Sequence, residues 1–442
     1  MLNKIAALAV ALALPLAAGA QRRPLSLDEA LAAGLESSPA LHASRARVDA
    51  SAAGARETSA LRLPSLKLGG GYTRLSEVPD FQVTLPVSPD PITVSRSYFD
   101  NFNLRLGLQQ PLFTGFRLEA GARSARLLEA AAGRDLEKDR AEFVFAVKSA
   151  YWGLARAREF EKAIDETLRQ VSEHLKDVRA FFDQGLLTRN EVLRAELELS
   201  NAEIMKIDAR DAAEVALTAL TSLVGLPLDA DVELTTSPES QAARLPAPAD
   251  AEDASPVERA LANRPEIRSA DLRVEASEWG VKAARSGFYP QVFLAGNYYY
   301  LRPNPRFLPA LDAFKGTWDL SVSVSFDLWD WGQTRSRAEQ AKARLAQARD
   351  ARRLLEDQAV LEVTQSRLAV DRAGEKVLVA DQAVGLAEEN FRVSRERFRQ
   401  GVALNADVLD AEVALLQARL ARTRALIDLA VGRARLEKAL GS

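Results

Sequence analysis

Two long stretches of the chain carry a helical mixture of apolar and polar positions without a single proline. Residues 117–182 and 333–398 are each 66 residues long and rich in Ala, Leu, Glu and Arg. At 1.5 Å per residue, each predicts a helix about 100 Å long, which is typical of a coiled coil or a tall helical bundle. A Gln-Gly turn follows each stretch, and a shorter returning helix is predicted after it, at residues 188–225 and 405–440.

The returning helices each carry one apolar seam, because their apolar residues are spaced by four and three. The seam residues are Leu193, Leu197, Ile204 and Ile207 in the first helix and Leu409, Val413, Leu416 and Leu420 in the second. Gly225 and Gly441 supply the left-handed residue that ends each helix. A further helix is predicted at Ser26–Leu63 and again at Pro256–Tyr289, so that two short helices end to end match one long helix.

The segments between the helices alternate apolar and polar residues, which is the period of a β-strand. Two hairpins are predicted, at residues 65–110 and 291–328, and their first strands cover Ser65–Thr73 and Gln291–Leu301. A proline-bearing loop joins the two strands of each hairpin, at Ser76–Tyr98 in the first. The apolar positions of the second strands are Phe102, Leu104, Leu106 and Leu108 in one hairpin and Trp318, Leu320, Val322, Val324, Phe326 and Leu328 in the other.

The same order of elements occurs twice along the chain, at constant offsets of 226 and then 216 residues. Two structural repeats are therefore predicted, at residues 21–225 and 255–442. The linker between them, residues 226–254, is rich in Pro, Ala and acidic residues. Matched pairs include Pro39 with Pro265, Tyr72 with Tyr298, Phe182 with Phe398, Gln184 with Gln400 and Glu196 with Glu412.

The strands have the dimensions of transmembrane β-strands, since they are about 9–11 residues long and have aromatic ends. A sheet in lipid must close, because an open edge is unsatisfied there, and four strands are too few to close a barrel of useful width. Several chains are therefore expected to pool their strands. In the alternative, each hairpin is amphipathic and covers a soluble core. The residues predicted to face lipid are Phe102, Leu104, Leu106, Leu108, Leu320, Val322, Val324 and Phe326.

The N-terminus has the pattern of a signal peptide at residues 1–20. Lys4 precedes an apolar run from Ile5 through Ala18, and Ala18-Gly19-Ala20 forms a small-x-small cleavage site. In the alternative, the run is a membrane anchor, although it is too short to span a bilayer comfortably. The pattern predicts that the protein leaves the cytoplasm.

Composition narrows the possible functions. The chain has no cysteine and only two histidines, His42 and His174, in different predicted elements, so thiol catalysis and a Cys or His metal site are excluded. The formal net charge of -3 and the pI of about 5.8 argue against a general nucleic-acid binder. Because no nucleophile-base pair, phosphate loop or metal-ligand spacing is present, neither an enzyme nor a cofactor is expected.

Together, the signal peptide, the two helix-strand-strand-helix-helix repeats and the glycine-bearing hairpin tips resemble the TolC-like outer membrane efflux protein family. The resemblance covers essentially the whole mature chain, and it is specific in the order and duplication of its motifs. The matching motifs are Ser26-Leu27-Asp28-Glu29-Ala30 with Ser38-Pro39, Pro111-Leu112-Phe113-Thr114-Gly115, Ala150-Tyr151-Trp152, and Gly401 leading into Asp407-Val408-Leu409-Asp410-Ala411.

The resemblance implies an α+β membrane protein in the outer membrane of a Gram-negative-type bacterium. Three copies would form a twelve-stranded transmembrane β-barrel and a long α-helical coiled-coil barrel in the periplasm. Such a homotrimer conducts passively, while a periplasmic adaptor joins it to an inner-membrane pump of the RND, ABC or MFS type. The alternative from another functional class is a periplasmic coiled-coil scaffold or adaptor without a pore.

The resemblance places the narrowest point of the tunnel, its gate, at the tips of the helical hairpins. Asp407 and Asp410 are three residues apart and share a helix face, so threefold symmetry would bring six carboxylates toward one axis, where they attract cations. Phe398 and Glu191 are assigned to the same gate. In the alternative, Asp407 only complements the helix dipole in a first turn capped by Asn405, and Asp410 is a solvated charge.

The hairpin tips also match the adaptor-docking grooves of the family. In the alternative, glycine and small apolar residues simply form a tight turn, and both interpretations can hold together. Thr188 and Glu191 fit a capping box, whereas Leu404 takes the position of Thr188 in the second repeat. Ala403 lies where some members carry an arginine. The predicted docking residues are Gly185, Leu186, Leu187, Thr188, Gly401, Val402 and Ala403.

Overall fold

The computed structural model describes residues 23–84, 86, 90–238, 240 and 255–441. The predicted signal peptide, residues 1–20, and residues 241–254 of the predicted linker lie outside this description. The helices are α1 (Leu27–Ser37), α2 (Pro39–Ala60), α3 (Arg117–Asp183), α4 (Arg189–Val224), α5 (Pro256–Asn263), α6 (Pro265–Ala284), α7 (Gln333–Arg399) and α8 (Asn405–Leu440). The strands are β1 (Arg23–Leu25), β2 (Ser65–Arg74), β3 (Phe81–Val83), β4 (Ile92–Ser95), β5 (Asp100–Thr114), β6 (Val232–Leu234), β7 (Gln291–Arg302) and β8 (Lys315–Ser325).

The described residues fall into two compact units. We call residues 23–43, 138–264 and 358–441 the helical unit, and residues 44–137 and 265–357 the sheet unit. The long helices α3 and α7 each contribute residues to both. None of the described helices is both long enough and apolar enough to span a bilayer.

Each of the predicted helices before the hairpins is in fact two helices. The helix is interrupted at Ser38 and at Arg264, whose ψ angles of 116° and 123° are those of an extended backbone. The cause is the following proline, which has no N–H to continue the helix and disfavours the helical conformation of the residue before it. Gly225 and Gly441 end α4 and α8 with φ angles of 71° and 76°, as predicted.

The main core of the helical unit joins α1, α3 and α4 to a short parallel strand pair. Tyr151 and Trp152 are almost fully buried there. The Tyr151 hydroxyl donates to the Leu25 carbonyl and accepts from the Thr236 N–H, at 3.2 and 3.0 Å. β6 also pairs in parallel with β1, so this part of the predicted linker is a structured strand rather than a free connection.

The sheet unit contains a four-stranded antiparallel sheet in the order β2-β5-β7-β8. Its register places the alternating apolar residues of β2, β5 and β8 on one face, together with Val292, Leu294, Tyr298 and Tyr300 of β7. Tyr72 faces Phe102, Leu104 faces Tyr300, and Val322 faces Leu294. The side chains of Leu320, Val322 and Val324 are 61–66% exposed, and those of Leu104, Leu106 and Leu108 are 39–44% exposed. We call this surface the apolar face of the sheet.

Three details of the predicted hairpins are wrong. β5 extends past the predicted end to Thr114, with a bulge between Pro111 and Phe113 that accommodates the missing proline N–H. β8 ends at Ser325, so Phe326 lies just after the strand rather than within it. The loop Ser76–Tyr98 contains the small hairpin β3-β4.

The predicted seam of α4 does not pack inside the chain. Its four residues, Leu193, Leu197, Ile204 and Ile207, are 51–63% exposed, whereas the alanines beside them at positions 195, 202 and 209 are buried. A similar line runs along α7, which we call the α7 stripe; its members Leu361, Leu368, Val379 and Leu386 are 57–75% exposed. Both helices therefore present apolar surface that nothing in the described chain covers.

Candidate functional site at the hairpin tips

The turns at the two hairpin tips have the same geometry. Gly185 and Gly401 both have a φ of 74°, a left-handed conformation that glycine adopts without strain. The Leu186 N–H donates to the Phe181 carbonyl and the Val402 N–H to the Arg397 carbonyl, both at 2.9 Å, which closes a Schellman motif at each helix end. The tight-turn interpretation of these glycines is therefore confirmed.

The predicted docking residues divide into exposed and packed positions. Leu186 and Val402 are 67% and 61% exposed and form the outer surface of the tips. Leu187 and Ala403 instead pack against a buried apolar cluster below the turns, which we call the tip cluster. The buried members of the tip cluster are Leu175, Val178, Ala195, Phe398 and Val408.

Phe398 is only 3% exposed, so it does not present its ring to a passage in this chain. Its ring centroid lies 5.0 Å from that of His174 and 5.4 Å from that of Phe181. Phe398 packs inside the tips in the described chain, and its predicted part in the gate stays a prediction.

The first turns of the returning helices are capped differently from the prediction. The Thr188 side chain makes no cap bond, so the expected capping box with Glu191 is wrong. In the second repeat the helix starts after Leu404, not at a capping Asn405, and the Asp407 carboxylate accepts the Leu404 N–H at 3.0 Å. Asp407 thus stabilises its own helix start, as the helix-end alternative expected.

Asn405 instead connects the two hairpins. It is 3% exposed, and its amide nitrogen donates to Glu191 Oε2 at 2.9 Å. Its amide oxygen accepts from His174 Nε2. Because the Glu191 oxygens can only accept, the amide nitrogen must face Glu191, and the amide oxygen that is left for His174 assigns the histidine proton to Nε2. We call this chain of three residues the tip bridge.

The histidine of the tip bridge is buried, and burial lowers the pKa of His174, although the bond to Asn405 opposes that shift. A lowered pKa keeps the ring neutral near pH 7. The stability that this neutral state contributes is lost as the pH falls below the ordinary histidine value through the folded pKa.

Ion pairs tie α7 to α3 just behind the tips. Arg395 pairs with Glu173 at 2.7 Å, and Arg399 pairs with Asp177 at 3.2 Å. The two arginines are four residues apart on one helix and the two acids are four apart on the other, so the contacts form a ladder. Arg395 therefore pairs with a different residue from the one that its counterpart in the first repeat would indicate.

Glu412 is the equivalent of Glu196 in the second repeat, but Arg395 does not pair with it. In the first repeat the equivalent residues, Glu196 and Arg179, pair at 2.6 Å. In the second repeat Arg395 turns to Glu173, and Glu412 is 3% exposed with neither carboxylate oxygen hydrogen-bonded in the described chain. Burial, together with the charge of Glu198, raises the pKa of Glu412 to about 8. Near pH 7 it is therefore protonated.

We expect the Glu412→Gln variant to be more heat-stable than the wild type at pH 9 and equally stable at pH 4. The folded pKa of Glu412, about 8, lies above its ordinary value of 4.5, so its contribution to stability is full below pH 4.5 and is lost as the pH rises from there through 8. Glutamine keeps the neutral form at every pH. The measurement is the melting temperature in detergent at both pH values, with Glu196→Gln as the matched control. An equal gain at both pH values would contradict the buried neutral carboxyl.

Sequence reasoning missed the tip bridge and the unpaired Glu412. His174 stood out only as one of two histidines, and Glu412 only as the match of Glu196. Asp407 and Asp410 are exposed, and Asp410 carries none of the contacts described above. Among the residues that the structure describes, no group of three or more acidic or histidine side chains could hold a metal ion.

Comparison with known proteins gives a consistent result. The model of the family described as "Outer membrane efflux protein" matches residues 31–226 and 257–442. The outer membrane efflux protein BepC of Brucella suis is 25% identical over 350 residues, which cover 79% of this chain and 74% of BepC. The alkaline protease secretion protein AprF of Pseudomonas aeruginosa is 25% identical over 347 residues, covering 76% and 69% of the two chains.

Solved structures show the same fold. The outer membrane protein VceC of Vibrio cholerae superposes with a TM-score of 0.78 at 22% identity, covering 94% of this chain and 96% of VceC. The CmeC outer membrane channel of Campylobacter jejuni gives a TM-score of 0.81 at 18% identity, covering 94% and 85%. The resemblance drawn from the sequence is thus confirmed. Because the family model matches both repeats, the chain belongs to the outer membrane efflux protein family and is an exit channel of the outer membrane.

Proposed function

We propose that three copies of this chain form the exit duct of a tripartite efflux or type I secretion system. Each copy would contribute its four strands to a twelve-stranded barrel in the outer membrane and its long helices to a tunnel in the periplasm. Substrates would pass through passively, delivered by a periplasmic adaptor and an inner-membrane pump of the RND, ABC or MFS type. No cofactor takes part in such conduction.

The observation that carries this proposal is the four-stranded sheet. Its apolar face is exposed along all four strands, and its outer strands β2 and β8 each have an edge that no described strand pairs with. Lipid can cover the apolar face but not the two edges, because each unpaired backbone N–H or C=O group costs about 2–7 kcal/mol in hydrocarbon. Pairing the β8 edge of one copy with the β2 edge of the next satisfies both.

The exposed seams of the helical unit support the same assembly. The α4 seam and the α7 stripe are apolar lines on helices that otherwise carry charged side chains. Apolar residues repeated at seven- and eleven-residue intervals are typical of helices that pack along a partner helix. A neighbouring copy supplies that partner in a closed ring.

Labelling with a lipid-phase reagent tests the membrane assignment directly, because the natural chain has no cysteine. We expect Val322→Cys and Leu104→Cys, on the apolar face, to react with the reagent in outer membranes. The control is Ser323→Cys, one residue further along β8 and on the opposite face. Reaction of all three only with a water-soluble reagent would favour the periplasmic scaffold without a pore.

The gate proposal concerns the tips. Asp407 and Asp410 are exposed on the first turns of α8, and three copies would bring six carboxylates toward one axis. Glu191 would act behind them through the tip bridge. The surfaces of Leu186 and Val402, with Gly185, Gly401 and the exposed Thr188 between them, would receive the adaptor, while Leu187 and Ala403 support the tips from inside.

We expect Asp407→Ala combined with Asp410→Ala to raise ion conductance and weaken block by divalent cations. The ring of carboxylates attracts cations, so its removal deprives them of a binding site. Conductance in planar bilayers with increasing cation concentration measures this. Unchanged cation sensitivity would remove both aspartates from the gate.

A further inference from the structure

The face of the sheet opposite the apolar face carries a row of residues across all four strands, three of which have charged or amide side chains. Lys67 on β2 lies opposite Gly107 on β5, Gly107 opposite Asn297 on β7, and Asn297 opposite Asp319 on β8. Each of these residues therefore sits at the same level of the sheet. We call this surface the polar face and the row the polar row.

Arg105 lies two residues before Gly107 on β5, and its side chain reaches the polar row. Its Nε and Nη2 donate to Asn297 Oδ1 at 3.0 and 2.7 Å, and Asn297 Nδ2 donates to Asp319 Oδ1 at 2.8 Å. The guanidinium also lies 5.5 Å from the centre of the Tyr299 ring. Because the amide stands between the arginine and the carboxylate, Arg105 is held in place without a direct ion pair to any described residue.

The charge on the polar face is unbalanced. Its strand positions carry Lys67, Arg105 and Lys315 but only one acid, Asp319. Lys67 makes no hydrogen bond or ion pair with any residue that the structure describes, and both Lys67 and Arg105 are exposed. Ionisable side chains within a membrane-spanning segment are expensive unless they face an aqueous space, so their presence points to a function there.

The glycines of β2 and β5 leave room for these long side chains. A Cβ at Gly107 would lie 3.1 Å from Asn297 Oδ1 and 3.8 Å from Arg105 Nε, while a Cβ at Gly69 would meet nothing within 4 Å. A glycine therefore lies beside each of the two long basic side chains, Gly107 opposite Lys67 and Gly69 opposite Arg105. The arginine keeps its contact with Asn297, and the space above the strands stays open.

We propose that Arg105 and Lys67, with Arg105 positioned by Asn297 and Asp319, form an anion-attracting belt inside the barrel. The belt determines charge selectivity at the exit, where chloride and solutes bearing carboxylate or phosphate groups would be drawn through. The inference rests on the proposed function, because only a closed barrel turns the polar face toward an aqueous lumen. It assigns to the barrel a selectivity opposite to that of the carboxylates at the tips.

The test is the reversal potential of the purified protein in planar bilayers under a potassium chloride gradient. We expect Arg105→Gln to lower the chloride-to-potassium permeability ratio about twofold or more, since three copies each lose one lumen charge. Lys67→Gln, at a side chain with no polar partner in the part of the chain that the structure describes, should shift the ratio in the same direction and leaves the sheet contacts intact. Arg74→Gln, which removes the same charge from the apolar-face side of β2, is the matched control.

The outcomes separate the inference from the function beneath it. Channels whose reversal potential is unchanged in both Arg105→Gln and Lys67→Gln overturn the belt while leaving the exit duct in place. An equal shift in the Arg74→Gln control also overturns it, because overall charge rather than the polar row would then set selectivity. If the wild-type protein forms no channel at all, the exit duct and the belt are both rejected.

Discussion

Replacing Leu361 and Leu368 of the α7 stripe with aspartate will abolish the assembled channel while leaving the single chain folded. Both side chains lie on the side of α7 opposite the buried Val363 and Val370, and they are 57% and 60% exposed. Exposed substitutions change the stability of a chain by only about 0.5 kcal/mol. In a trimer, however, each buried leucine contributes about 1.5–3 kcal/mol, and a buried unpaired carboxylate adds a further penalty.

The measurement is the heat-sensitive trimer band of unboiled outer membrane samples, together with helix content by circular dichroism. The matched control is Val360→Asp with Leu378→Asp, which places the same two charges on α7 about a quarter of a turn away from the stripe. We expect the control to keep the trimer band. A stripe variant with a normal trimer band would show that the α7 stripe does not contact a neighbouring copy.

Replacing Asn405 with alanine will raise single-channel conductance severalfold. The substitution removes the only described amide that joins α8 to both His174 and Glu191, so the two hairpins lose their bridge at the tip. Each buried polar group left without its partner costs about 1–3 kcal/mol, which disfavours the closed packing of the tips. Planar bilayer recordings at fixed voltage measure the change.

Asn190→Ala is the control for this variant. Asn190 lies beside Glu191 in the first turn of α4 but is exposed, so the same change of side chain leaves the tip bridge intact. Its conductance should match that of the wild type. If Asn405→Ala conducts like the control, the tip bridge holds the fold of the tips but not the gate.

The elements of this fold could be predicted where the signal is local. Proline-free composition and a terminal glycine placed α3 and α7 within one residue of their observed ends, and a period of two placed the strands. The breaks at Ser38 and Arg264 were also readable in principle, because each precedes a proline. The longer β5 was harder to predict, since Pro111 argues against a continuing strand unless a bulge absorbs it.

The site could be predicted only in part, because its decisive contacts join residues far apart in sequence. Asn405 and His174 are 231 residues apart, and no spacing rule connects them. The repeats also differ at Arg395, which pairs with Glu173, whereas its counterpart Arg179 pairs with Glu196. Comparing the repeats contact by contact shows where they diverge: the first keeps a surface ion pair, while the second leaves a neutral carboxyl in the interior.

The open edges of the sheet have a consequence for the life of each newly exported chain. Until β2 and β8 meet strands of other copies, their free backbone donors and acceptors can template pairing with any extended segment nearby, which is the usual route to aggregation. The apolar face compounds the hazard in water. A copy whose sheet edges are still unpaired is therefore prone to aggregate, and pairing with other copies removes that hazard together with the edges.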